Sequence, residues 1–225
     1  MWKSGKGKIF PLFHNRYDCN GGDPSSWIVK YIRPWTCHSS SCSTKTALIR
    51  RRQDASFGKI GQIEIPDQTA ALKQVAAGRP YMDLSRVGIY GHSWGGYFSL
   101  RGILNAPDVF SVGVASAPGE LTEAPEINEP YMDLPQNNKE GYAAGLNAAQ
   151  AGNLKGKLLL IHGTHDVNAP ISTTLRMVDA LVKAGKLHDL AVIPKMDHST
   201  RAPAFRKYYW DLVINYFVQH LKPQG

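Results

Sequence analysis

From residue 58 onward, apolar positions recur with two alternating periods. Ala70, Ala71, Leu72, Val75 and Ala76 fall on a helical spacing that opens near Pro66 and stops at Gly78 and Pro80. Val87-Gly-Ile-Tyr90 is an apolar run too short for a helix and reads as a buried strand. Tyr97, Leu100, Ile103 and Leu104 return to the helical period, ended by Asn105-Ala-Pro107. Ser111 to Ala115 and Lys157 to Ile161 are further strands, and an Ala-rich helix from Tyr142 to Ala151 lies between them. Ile171, Leu175, Val178, Leu181 and Val182 predict a helix stopped at Gly185, and Asp189 to Ile193 a last strand. Phe205 to Leu221 closes the chain as an amphipathic helix with Tyr209, Leu212, Tyr216 and Phe217 on one side. Residues 117–140, with five glutamates and four prolines, read as a surface excursion. Strand and helix in alternation predict an α/β fold: a mostly parallel sheet with right-handed crossovers and helices on both faces. Residues 1–57 read as an irregular segment with one strand, Trp27 to Ile32, and residues 58–225 as the catalytic domain.

Composition changes this picture in two places. Net charge is +8, but residues 1–60 hold 11 Lys/Arg against 3 Asp/Glu, while residues 61–225 hold 15 of each. The basic character therefore belongs to the N-terminal segment, read as a solvated arm, and no nucleic-acid partner is expected. The three cysteines, Cys19, Cys37 and Cys42, lack metal-site spacing and are too few for a disulfide framework, so free thiols and no metal or cofactor are expected. No apolar run approaches a membrane span. Met1 to Lys8 is basic without a following apolar stretch, which reads as a cytoplasmic chain.

The chemistry starts at Gly91-His-Ser-Trp-Gly95, which fits G-x-S-x-G between a strand and a helix. That spacing puts Ser93 at the tip of a sharp turn, with the N–H of Trp94 at a helix N-terminus where an oxyanion would form. A serine hydroxyl needs a base, and the base an orienting acid. Asp166 follows a strand end 73 residues later and His198 another 32 residues beyond, in the order Ser, Asp, His. Ligands of such sheets sit beyond the C-terminal strand ends. Competing histidines are set aside: His92 as pointing away from the elbow, His162 as a loop support, His165 as adjacent to Asp166 and needing to fold back to face it, His188 and His220 as misplaced. Activity is then expected to fall in acid as His198 protonates.

Gly61-Gln-Ile-Glu-Ile-Pro-Asp-Gln68, Val87 to Tyr97, Tyr131-Met-Asp-Leu-Pro135, His162-Gly-Thr-His-Asp-Val-Asn168 and Asp197-His198 together resemble the catalytic domain of the prolyl oligopeptidase family, in its dipeptidyl peptidase IV branch. The resemblance implies an α/β-hydrolase fold and the triad Ser93, Asp166 and His198, with Asn168 and Tyr97 as substrate-binding residues. The family's β-propeller, its Tyr-Gly-Gly-Pro-like segment and its proline-gripping aromatics find no counterpart in these 225 residues. The expectation is therefore an open cleft hydrolysing short acyl esters. The alternative is a dipeptidyl aminopeptidase acting on short peptides. A third reading is an inactive fragment serving as a binding module, with an unpaired edge strand that would join a second copy.

Overall fold

The computed structural model describes residues 12–15, 28–30, 56–121, 125–199 and 202–221. The cysteines and most of the basic arm lie outside these. Strands are β1 (Leu12–Asn15), β2 (Ile28–Lys30), β3 (Val87–His92), β4 (Phe110–Ser116), β5 (Lys157–Gly163) and β6 (Asp189–Ile193). Helices are α1 (Glu64–Ala77), α2 (Trp94–Asn105), α3 (Pro125–Met132), α4 (Lys139–Gly145), α5 (Ile171–Lys183) and α6 (Pro203–His220), with a 3₁₀ turn at Ala148–Asn153. One six-stranded sheet runs β2-β1-β3-β4-β5-β6. Only the β1–β2 pair is antiparallel. Residues 1–57 thus supply two strands of the sheet. The strand expected at Trp27–Ile32 is β2; β1 carried no readable signal, being four residues long with a polar His14-Asn15 end.

The apolar runs of β3, β4 and β5 are strands buried on both faces, whereas β6 at the sheet edge leaves Leu190 and Val192 exposed. Leu158 and Leu160 of β5 join the cluster under α1, α2 and α5, with Val87, Ile89, Leu72, Ile103 and Leu181. Their neighbours Leu159 and Ile161 join the opposite cluster under α6, with Tyr90, Val112, Val114, Val213 and Phe217. Each fully buried leucine or isoleucine contributes about 1.5–3 kcal/mol. A sheet apolar on both sides therefore fixes which helix lies on which face.

Two expectations are corrected. On α5 the inward residues are Thr173, Thr174, Met177 and Leu181, while Leu175 and Val182 are 47% and 65% exposed. The helix turns Thr174 to His162 of β5 (2.7 Å) and Thr173 to the loop beyond β4, where its hydroxyl donates to the Pro118 carbonyl (2.9 Å). The excursion after β4 also has a small core of its own: Leu121, Met132 and Tyr142 pack with Tyr97 and Phe98. Its short helices hide too few apolar residues to mark that core in a sequence.

Candidate active site

The rim formed by the C-terminal ends of β3, β5 and β6 collects Ser93, Asp166 and His198. Ser93 has φ 59° and ψ −125°, a conformation that side chains disfavour. Two backbone bonds hold it there. Its N–H donates to the Ser116 carbonyl at 2.9 Å, and the Tyr97 N–H donates to the Ser93 carbonyl at 3.0 Å. A Cβ on Gly91 would lie 2.0 Å from the Gly95 oxygen, so the two limbs of the elbow can close only around glycine. Ser93 remains half-buried at the tip, and Trp94 opens α2, its N–H at the positive end of a 12-residue helix.

Gly163 performs the same service at the end of β5, where a Cβ would meet the Met196 oxygen at 2.1 Å. The loops after β5 and β6 can therefore touch. The Thr164 N–H donates to the Ile193 carbonyl (3.1 Å), the His165 N–H to the Met196 carbonyl (3.1 Å), and the Lys195 N–H to the Thr164 hydroxyl (3.0 Å). Asp166 sits inside this junction, 8% exposed. Its Oδ1 accepts from the N–H groups of Asn168 (3.0 Å) and Ala169 (2.9 Å), and its Oδ2 accepts from His198 Nδ1 at 2.7 Å. Burial alone would push this carboxyl up; the His198 and backbone donors outweigh it and hold it below the usual carboxylate range. Asp166 is therefore ionised, and His198 carries its proton on Nδ1, leaving Nε2 as the basic atom.

Buried His162 shapes the same loop. Its Nε2–H donates to the Ala169 carbonyl (2.8 Å), and its Nδ1 accepts from the Thr174 hydroxyl (2.7 Å). Burial holds it below the usual imidazole range, against the Ala169 carbonyl and Asp166, so it stays a neutral brace. His92 differs from its expected orientation. Its ring faces His198, centroids 4.6 Å apart, because β3 ends beside the loop that follows β6.

Asn168 is exposed on the Asp166 loop and uses its backbone N–H there. Tyr97 is not at the cleft. It is fully buried, and its hydroxyl donates to the Gly145 carbonyl at 2.7 Å, tying α2 to α4. Three residues past the serine, the helical turn carries it into the core. Tyr97→Phe is expected to lower the unfolding free energy by about 1–2 kcal/mol, read from urea midpoints, and to leave KM unchanged. A fivefold rise in KM would return Tyr97 to the substrate site.

β1 lies beside the elbow, with Asn15 opposite Gly91. Being parallel to β3, β1 thus ends at the same rim. Among the described residues no group of three or more His, Cys, Asp or Glu is arranged to hold a metal ion, and no helix is long and apolar enough to cross a membrane.

Comparison with known proteins bears on the family and the fold. The pattern of the prolyl oligopeptidase family matches residues 53–224. Dipeptidyl peptidase 8 of mouse and of human are each 38% identical over 168 residues, covering 72% of this chain and 19% of their own length. A solved structure assigned as a dipeptidyl aminopeptidase IV of Bacteroides ovatus superposes with TM-score 0.70 at 34% identity, covering 75% of this chain and 24% of that one. The chain therefore spans about a fifth of its curated relatives. Its sheet and crossovers are those of the α/β-hydrolase fold, and with three quarters of its length matched, the chain belongs to the prolyl oligopeptidase family.

Proposed function

We propose that this chain is a serine hydrolase that removes dipeptides from the N-termini of short peptides. In this reading Ser93 attacks the acyl carbon, and His198 Nε2 takes its proton. Asp166 keeps the imidazole in that tautomer and stabilises the imidazolium, and the Trp94 N–H receives the oxyanion. His198 then passes its proton to the leaving amine, and water attacks the acyl-enzyme with His198 again as base. Asn168 contacts the substrate. Residues 58–225 act as the catalytic unit, whose sheet β1 and β2 extend beyond β3.

The observation that carries this reading is the 2.7 Å Asp166–His198 bond, made from a buried carboxylate at the rim that bears a strained serine. The choice of peptide bond rests on relatives named as dipeptidyl peptidases, and it replaces the carboxylesterase expected from the sequence. A dipeptidyl-proline arylamide and a short-chain aryl ester, compared on the 225-residue chain, test that choice. The arylamide should be cleaved, and cleavage should disappear in Ser93→Ala. Ester turnover with no arylamide turnover would return the esterase reading.

A further inference from the structure

The loop that carries His198 is tied to the Thr164–His165 loop through Lys195 and Met196, but these anchors stop two residues short of His198. Lys195, Asp197 and Ser199 around it are exposed, Lys195 has φ 62°, and one hydrogen bond to Asp166 does not by itself stop an imidazole from tilting. What lies beneath the ring is His92. The two rings are 4.6 Å apart at 43°. Behind His92, Nδ1 meets the Ser116 hydroxyl at 3.0 Å, and Ser116 is fully buried at the end of β4. The Tyr209 hydroxyl of α6 lies near Ser116 and meets that of Tyr90 of β3 at 2.8 Å. The ring edge of Tyr209 also packs on His92 (6.4 Å, 90°).

The direction of this chain follows from its far end. The His198 backbone carbonyl lies near the His92 ring and can only accept. His92 therefore spends its one proton on Nε2, toward that carbonyl, and Nδ1 accepts from Ser116. The Ser116 oxygen is then open to the Tyr209 O–H, and the Tyr209 oxygen to the Tyr90 O–H. Every donor points one way, from the core under α6 to the loop of His198, an arrangement in which each bond strengthens the next. A protonated His92 would break it, because its Nδ1 could no longer accept. Burial, followed by the neighbouring His198, pushes His92 down to about 4, against Asp166 and the His198 carbonyl; His162 adds to the lowering.

We propose that His92 is a positioning residue for the hydrolase reading above: it carries the His198 imidazole on its ring face and fastens the His198 carbonyl, and Ser116 and Tyr209 hold it from behind. It touches no reacting atom in this proposal. Its effect runs through the angle and reach of the base, where a displacement of about 1 Å costs on the order of 100-fold in rate.

The test uses the full chain and four variants. His92→Ala should lower kcat about 10- to 100-fold, with KM within about twofold and the urea midpoint still showing a folded protein. His92→Gln, which returns an N–H toward the His198 carbonyl, should recover most of that loss. Ser116→Ala should act in the same direction and more weakly. The double variant His92→Ala/Ser116→Ala should be no slower than His92→Ala alone, because both act through one chain of bonds. In parallel, proton NMR should find the downfield Nδ1–H of His198 in the wild type and find it broadened in His92→Ala. An unchanged kcat in His92→Ala, a loss shared with KM, or strict additivity of the pair would overturn the proposal. Should the wild type neither turn over nor take a phosphonate on Ser93, the hydrolase reading fails separately. The His198 proton then decides, and its survival unchanged in His92→Ala refutes the positioning.

Discussion

Ser93→Ala is expected to lower kcat by on the order of 10⁶ and to abolish covalent labelling by an organophosphonate. The size of the effect comes from what the alcohol does in a triad. Without it no acyl-enzyme forms, and His198 has no proton to take, so the three groups are lost together. Intact-mass measurement after phosphonate treatment reads this directly: the wild type gains one phosphonyl group and the variant none. Labelling that persists in Ser93→Ala would mean another residue is the nucleophile. A stability effect accompanies the kinetic one. The strain at φ 59° arises from a Cβ in a glycine-like conformation, so Ser93→Ala keeps it and Ser93→Gly releases it. Ser93→Gly should therefore exceed Ser93→Ala in unfolding free energy by about 1–3 kcal/mol.

Asp166→Asn is the second large effect, expected at about 10⁴ in kcat. The surrounding donors dictate the reason. Two backbone N–H groups, of Asn168 and Ala169, point at Oδ1, so an asparagine must keep its carbonyl oxygen there. Its NH₂ then faces His198 Nδ1, which has to become an acceptor. The imidazole proton moves to Nε2, and the base can no longer take the serine proton. Steady-state kinetics on the arylamide checks this, and a loss below tenfold would show that Asp166 does not set the tautomer. The same substitution has a pH signature in stability. Folded contacts hold the Asp166 carboxyl low, so the ionised form contributes stability that is full above its unfolded pKa. That contribution fades as pH falls through the lowered folded value. The gap in unfolding free energy between wild type and Asp166→Asn should narrow toward acid.

The alternation of strand and helix, and the sharp turn at Ser93, were readable because they are local. A strand buried on both faces must be an unbroken apolar run, and the glycines of the elbow are demanded by a collision within five residues. Tyr97 and His92 were misread for the opposite reason. Whether Tyr97 faces the cleft or the core depends on α4 closing over it, and α4 is more than forty residues away. His92 looks outward in an isolated turn. It turns under His198 only because β3 ends against the loop after β6.

The amino-acid order alone thus determined the fold class and the rim on which the chemistry is built, since both follow from periodicity and from steric limits on neighbouring residues. Only the tertiary structure decided how the His198 ring is held. The Asp166 junction and the chain from Tyr90 through Tyr209, Ser116 and His92 join β3, β4, α6 and the loops after β5 and β6. Such contacts exist only once distant segments pack, and no local spacing encodes them.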